Sequence, residues 1–89
     1  MILMTTELFN NAAEAVMKLN TSPTNDEMLE LYGLFKQAKF GDNTSPEPSL
    51  IYYKAKAKWG AWEKNKGMKQ DDAMITYIKL VSKMIDKYG

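Results

Sequence analysis

The sequence predicts an all-α fold of four helices, and two observations carry this prediction. Apolar residues recur at helical intervals in four segments, which are separated by stretches of proline, glycine and small polar residues. No segment shows the strict apolar and polar alternation of a β-strand. The 89 residues, 45% of them apolar, suffice for a single domain over residues 1–89 with one core.

The first two predicted helices flank a break at Asn20-Thr21-Ser22-Pro23. Apolar residues at helical spacing before the break predict an amphipathic helix from Thr6 to about Lys18 or Leu19. After the break, Thr24 or Asn25 can cap a second helix that runs to Phe40. Gly41 is expected to end this helix in the left-handed conformation.

The second helix carries a wider apolar surface than a single core contact needs. One stripe suits packing into a core and consists of Leu31, Leu34, Phe35 and Ala38. An adjoining face consists of Met28, Leu29 and Tyr32, with Lys36 one turn beyond Tyr32. The pattern leaves two interpretations open: a central helix buried on several sides, or one wall of a ligand groove.

The third predicted helix spans Tyr52 to Gly67 and follows an irregular loop over residues 42–50. It holds both tryptophans and five lysines. Its apolar stripe consists of Tyr52, Ala55, Trp59 and Trp62. Lys54 and Lys58 lie one turn apart on the flank of that stripe. The tryptophans either fill a core or, beside the lysines, suit a ligand with an apolar part and a phosphate part.

The fourth helix is predicted from about Lys69 to Lys87. Acidic residues at its start and lysines near its end suit the helix dipole. Its long apolar stripe consists of Ala73, Met74, Tyr77, Ile78, Val81, Met84, Ile85 and Tyr88. The short connections near Pro23 and Gly67 favour antiparallel packing of the helices that they join.

Composition narrows the classes of function. The chain has no cysteine and no histidine, which argues against disulfides, metal centres and hydrolytic triads, so we expect no catalytic residues, metal ligands or cofactor. A net charge of +1 is too balanced for binding nucleic acid or membranes through overall charge, so any cationic site must be local. Without a signal sequence or a membrane-spanning run, we expect a cytoplasmic protein with no stable membrane insertion. We expect it to be a monomer.

The second helix and its flanks, Pro23 to Asp42, resemble the signature of the acyl-CoA-binding protein family in the run PTNDEMLELYGLFKQAKFGD. The likeness extends through Lys54–Trp62 (KAKAKWGAW) and through Lys66-Gly67. It continues with Asp72-Ala73-Met74, Tyr77 and Lys87-Tyr88, and so covers nearly the whole chain from Phe9.

The resemblance implies a four-helix, up-down-down-up bundle that binds medium- and long-chain acyl-CoA esters with high affinity. It implies an intracellular carrier and pool former without catalysis. Two alternatives remain: a protein-interaction module whose groove binds an amphipathic helix, and a thioesterase or acyltransferase.

Site residues follow from the resemblance by position. Those implied at the adenine and the 3′-phosphate are Tyr32, Lys36 and Lys58. Gly33, Leu34 and Phe35 are implied where the protein chain passes the adenine. Lys54 is implied along the CoA, and Tyr77 is implied to reach the head group from the last helix. The acyl groove is implied at Met28 and Leu29, with Trp59 near the ligand and Trp62 nearer the core.

Three positions depart from the family pattern. Phe35 stands where tyrosine is frequent, so a hydroxyl contact is lost. Lys39 replaces a residue that is normally small and adds charge near the groove. Met17 stands where many members have a lysine near the nucleotide, and Lys18 points about 100° away. We therefore expect the affinity for the CoA head group to be somewhat reduced, or to be distributed differently among the side chains.

Overall fold

A computed structural model describes residues 2–89, with side chains from residue 4 onward. The chain forms α1 (Ile2–Val16), α2 (Asn25–Phe40), α3 (Tyr53–Glu63) and α4 (Gln70–Tyr88). Residues 2–89 contain no β-strand, so the all-α prediction is confirmed. None of the helices in this range has the length and apolar character needed to cross a bilayer.

The helix α2 has the predicted boundaries because both of its ends are defined by local chemistry. Thr24 caps it: Glu27 N–H donates to Thr24 Oγ1 at 3.2 Å, and Thr24 N–H donates to Glu27 Oε1 at 2.8 Å. At the other end Gly41 has the expected positive φ of +78°, while its ψ of −149° lies outside the left-handed helical region.

The helices α1 and α3 differ from their predicted lengths. The helix α1 begins at Ile2 rather than Thr6 and ends at Val16, since apolar helix formers extend the helical segment toward the N-terminus. The helix α3 ends at Glu63 rather than Gly67, because Lys66 N–H donates to Glu63 O at 3.0 Å and tightens the chain into a turn. This turn closes at Gly67, whose φ is +91°.

The helices pack in the spatial order α1, α4, α2, α3. The predicted close packing of helices joined by short connections is wrong. In the described chain the α3 backbone does not lie beside that of α4, and α1 lies beside α4 and meets α2 only through side chains such as Phe9 and Phe35. The connections are long enough to let α4 take the central place, where its apolar stripe can serve both α1 and α2.

Hydrogen bonds between helix ends define the directions. Gln70 Nε2, at the start of α4, donates to Ala38 O near the end of α2 at 3.1 Å, so these helices are antiparallel. Thr21 N–H, beyond the end of α1, donates to Tyr88 O at the end of α4 at 3.2 Å. Trp62 near the end of α3 reaches Gly41 at the end of α2. The up-down-down-up prediction is confirmed.

The core lies where α1, α4 and α2 meet, and an aromatic cluster occupies its centre. The Phe9 ring lies 5.4 Å from that of Phe35 and 5.0 Å from that of Tyr77, between centroids. Such pairs add about 0.5–1.5 kcal/mol beyond area burial. The buried cluster consists of Phe9, Ala12, Leu31, Leu34, Ala38, Ala73, Tyr77, Val81 and Met84.

Candidate ligand groove

A groove of about 420 Å³ lies between α2 and α3, beneath the loop that joins them. This volume falls in the range of small-molecule sites, about 300–1,000 Å³. The groove is lined by Tyr32, Lys36, Ser45, Pro46, Pro48, Ala55, Lys58, Trp59 and Trp62. Of the predicted site residues, Tyr32, Lys36, Lys58 and Trp59 are thus brought together at one place.

The Tyr32 ring is the meeting point of the two groove lysines. Lys36 Nζ lies 5.9 Å from the ring centroid and Lys58 Nζ lies 5.6 Å from it. Lys36 comes from the same helix one turn later, whereas Lys58 comes from α3. Two ammonium groups from different helices therefore converge on one aromatic ring.

Lys36 is further enclosed by two rings, at 4.6 Å from the Phe40 centroid and 5.0 Å from that of Trp62. Within the described residues neither Lys36 nor Lys58 has a carboxylate at ion-pair distance. Rings hold a cation by about 0.5–1 kcal/mol at exposed sites, but they leave its ammonium protons available. The arrangement suits a phosphate together with an aromatic base.

Hydrogen bonds fix the two indoles that form the groove wall. Trp59 Nε1–H donates to Ser45 O and Trp62 Nε1–H donates to Gly41 O, each at 2.8 Å. Both side chains are half-buried and neither belongs to the buried core. The placement of Trp62 nearer the core is therefore wrong, because its indole packs beside Phe40 and Lys36 instead.

The loop that covers the groove is held by Asn43, which the sequence prediction missed. This side chain is buried; its Nδ2 donates to Trp59 O at 3.4 Å, and its Oδ1 accepts from Ser45 N–H at 2.9 Å. The second bond makes an Asx turn, and asparagine after the Gly41-Asp42 break is a signal for one. It orients the stretch that carries Pro46 and Pro48 into the groove.

A second set of polar contacts, also missed by the sequence prediction, fastens the loop to the connection between α3 and α4 at Gly67. The Asp42 carboxylate accepts from Gly67 N–H at 2.8 Å and from Gln37 Nε2 at 2.9 Å. These bonds, that to Gly67 first, hold the pKa of Asp42 below its ordinary value. Gln37 is fully buried and also donates to Met68 O at 2.7 Å.

Gly33 was predicted to lie along the ligand, and the structure places it at the α2–α3 crossing. A Cβ on Gly33 would lie 2.1 Å from Ala61 O, well inside van der Waals contact. The glycine lets the two helix backbones approach closely, and this approach sets the width of the groove. Its role in the structure is packing.

Three other predicted head-group residues lie in or against the core. Leu34 is buried there, and Phe35 stacks on Phe9, away from the groove lining. Tyr77 is 4% exposed, and burial raises the pKa of its hydroxyl above the ordinary value. Its place in the apolar stripe of α4 decides its position, and it does not line the groove.

The remaining predicted residues are spread around the groove. Lys54 is exposed outside its lining, and Met28 is exposed on α2. Leu29 lines a separate hollow of about 440 Å³, with Asp26, Glu30, Gly60, Ala61 and Lys64.

Two of the departures from the family pattern have a clear place in the structure. Lys39, near the end of α2, has its Nζ 5.9 Å from the Phe35 ring centroid. Met17 is 86% exposed in the turn after α1.

Comparison with known sequences settles the family. The family model described as acyl CoA binding protein matches residues 6–81. The chain belongs to the acyl-CoA-binding protein family. Acyl-CoA-binding protein homolog 1 of Caenorhabditis elegans is 52% identical over 81 residues, which are 91% of this chain and 94% of that protein. The acyl-CoA-binding protein of Saccharomyces cerevisiae is 48% identical over 86 residues, 97% and 99% of the two chains.

Solved structures carry the same fold. The crystal structure of Oryza sativa acyl-CoA-binding protein 2 superposes with a TM-score of 0.92 at 33% identity, covering 96% of this chain and 92% of that one. The solution structure of the yeast acyl-CoA-binding protein gives a TM-score of 0.75 at 48% identity, covering 93% and 96%. The family membership predicted from the sequence is confirmed.

Proposed function

We propose that this protein binds medium- and long-chain acyl-CoA esters and acts as their intracellular carrier, as a cytoplasmic monomer without catalysis. One observation carries the proposal: Lys36 and Lys58 converge on the Tyr32 ring in a groove walled by two indoles. Membership in a family whose described members are named acyl-CoA-binding proteins supports it.

The groove lysines supply the selectivity for a CoA head group. Hydrogen bonds to charged groups contribute about 1.5–3 kcal/mol each, so two ammonium groups on one phosphate discriminate strongly against a ligand without it. The rings of Tyr32 and Trp62 offer stacking faces for the adenine in the same space. The 3′-phosphate and adenine are therefore assigned to the Tyr32, Lys36 and Lys58 cluster.

The acyl chain supplies most of the gross affinity. Each methylene removed from water contributes about 0.8 kcal/mol, so about ten give on the order of 8 kcal/mol. We assign the acyl chain to the surface of α2 that carries Met28, which is exposed, and Leu29, which is half-buried. Their apolar atoms are available to a ligand without unfolding of the core.

The chemistry of the chain favours binding over turnover. It lacks histidine and cysteine, the usual base and thiol nucleophile of acyl transfer. Both carboxylates of the loop over the groove are engaged: Asp42 accepts hydrogen bonds from Gly67 and Gln37, and Glu47 pairs with Lys56 at 2.6 Å. A bound thioester is thus expected to leave intact.

Isothermal titration calorimetry with three ligands tests the proposal. We expect palmitoyl-CoA to bind more tightly than 3′-dephospho-palmitoyl-CoA, and palmitate to bind most weakly, by about 10-fold or more at each step. A free-thiol assay on the same mixtures should detect no CoA release. Equal affinity for all three ligands would show that the groove does not recognise the head group.

A further inference from the structure

Four consecutive apolar or aromatic residues project where the α2–α3 loop enters α3. Leu50, Ile51, Tyr52 and Tyr53 have 76%, 77%, 62% and 70% of their surfaces exposed. These four residues form the apolar tip. In the rest of the described chain, no two exposed large apolar residues are adjacent in sequence. Single exposed apolar residues are normal, whereas a contiguous group marks a contact surface.

Local hydrogen bonds hold the apolar tip in its exposed position. Tyr52 N–H donates to Ser49 O at 2.9 Å, which closes a turn with Leu50 and Ile51 at its centre. Lys56 N–H donates to Tyr52 O at 2.9 Å and joins this turn directly to α3. The exposure is thus built into an ordered turn at the start of a helix.

A lysine-rich stretch follows the apolar tip. Residues 48–62, which lie between Glu47 and Glu63, contain Lys54, Lys56 and Lys58 and no acidic residue, although the whole chain has a net charge of only +1. Lys56 is paired with Glu47 at 2.6 Å. Among the residues that the structure describes, Lys54 has no carboxylate at ion-pair distance, so it remains available to an external anion.

We propose that the apolar tip docks the protein reversibly on the surface of an anionic bilayer. Along the sequence, the side chains change in the same order as the layers of a bilayer from its interior outward. Leu50 and Ile51 are aliphatic and suit the hydrocarbon, Tyr52 and Tyr53 suit the interface, and Lys54 would face the lipid phosphates. The balanced net charge predicts no attraction of the molecule as a whole, and the docking is local and sensitive to salt.

A second copy of the chain fits this surface less well. A symmetric contact through the apolar tip would bring the lysines of the two copies together, since the same patch meets itself. Four residues also fall short of the roughly 20–30 residues per side in stable interfaces. The docking does not depend on acyl-CoA, because the apolar tip lies outside the groove lining.

Vesicle co-sedimentation of the ligand-free protein tests the proposal. With phosphatidylcholine vesicles that contain phosphatidylserine, we expect binding that weakens with salt and with removal of the serine lipid. The double variant Leu50→Ser/Ile51→Ser should lower the partition coefficient by about tenfold or more, because buried apolar area sets binding strength. Met17→Ser, at a side chain 86% exposed elsewhere, is the matched control and should leave the partition coefficient unchanged.

Circular dichroism and thermal unfolding of the double variant should match the parent, since both side chains are largely exposed. Absence of vesicle binding by the parent protein, or equal binding by the double variant, overturns the proposal.

Sedimentation equilibrium tests whether the apolar tip binds a second copy of the protein instead. A concentration-dependent increase in mass that the double variant abolishes, without vesicle binding, would assign the apolar tip to self-association. Since no arm contains acyl-CoA, these results are separate from the calorimetric test of the groove.

Discussion

Tyr32 is the residue at which the charge and the aromatic surface of the groove meet. The two ammonium groups beside it gain about 0.5–1 kcal/mol each from the rings that they face. A hydrogen bond from either group to a phosphate contributes about 1.5–3 kcal/mol. The phosphate contact therefore outweighs the ring contact, and ligand binding can draw the lysines from the rings to the anion.

Lys58→Ala should weaken palmitoyl-CoA binding by about 10- to 100-fold, which corresponds to one lost charge-assisted bond. The midpoint of thermal unfolding should fall only slightly, since Lys58 is exposed, forms no ion pair within residues 4–89 and loses a ring contact of about 0.5–1 kcal/mol. Calorimetry and a thermal melt measure the two quantities. Lys79→Ala, at an exposed lysine of α4, is the control. Equal losses of affinity in both variants would refute a specific role for Lys58.

The groove forms where the helices α2 and α3 cross. Gly33 permits it, because only a residue without Cβ can lie against Ala61 O at this distance. Asn43 and Asp42 then fasten the connecting loop over the groove. The groove thus depends on one close helix contact and two polar ties rather than on a deep apolar pocket.

Gly33→Ala should lower the free energy of unfolding by about 1–3 kcal/mol, the usual cost of overpacking, because the added methyl group forces α3 away from α2. Urea denaturation measures this change. Gly60→Ala is the matched substitution on α3: an added Cβ meets nothing within 4 Å there, so a gain of about 0.5–1 kcal/mol is expected from helix propensity. Similar effects of the two substitutions would contradict the close approach at Gly33.

Asn43→Ala should lower both the free energy of unfolding, by about 1–3 kcal/mol, and the affinity for palmitoyl-CoA. The substitution leaves the Trp59 carbonyl without its side-chain donor and frees the turn at Ser45. Urea denaturation and calorimetry report the two effects. Thr44→Ala, at the exposed neighbour, should change neither quantity. A stable variant with full affinity would show that the loop does not need this anchor.

At the scale of the whole molecule, Glu27 joins the start of α2 to the end of α4. Its carboxylate accepts hydrogen bonds from Lys87 Nζ at 2.8 Å, from the Tyr88 hydroxyl and from Thr24 N–H. These bonds, that of Lys87 first, lower the pKa of Glu27 to about 2. The pKa of Lys87 is raised in turn, chiefly by its bond to Glu27.

The stability of the fold should therefore fall in acid. The folded-state pKa of Glu27 lies below the ordinary value of 4.5, so the unfolded chain binds this proton first as the pH falls. The stabilisation is complete above that ordinary value and is lost as the pH falls through about 2.

Urea midpoints at about pH 6 and about pH 3 should differ less in Glu27→Gln than in the parent. Asp42, whose pKa is also lowered, retains part of the acid sensitivity in that variant. Glu14→Gln, at an exposed glutamate of α1, should behave as the parent does. An unchanged pH dependence in Glu27→Gln would contradict the role assigned to this carboxylate.

Periodicity predicted the helices well where local chemistry fixes their ends, as the capping box and Gly41 do for α2. It could not predict which helices are neighbours, because apolar stripes do not specify their partners. For Tyr77, the stripe on α4 predicted a place in the core, which the structure confirms, while the contact with the head group implied by the family likeness stays a prediction. The ties of Asn43 and Asp42 depend on contacts between distant segments, which spacing along the chain does not reveal.

The place of the CoA head group can be tested with a crystal structure that contains bound palmitoyl-CoA. We expect the 3′-phosphate within hydrogen-bond distance of Lys36 Nζ and Lys58 Nζ, with the adenine against the Tyr32 ring. A head group bound elsewhere, with both ammonium groups still facing their rings, would contradict it.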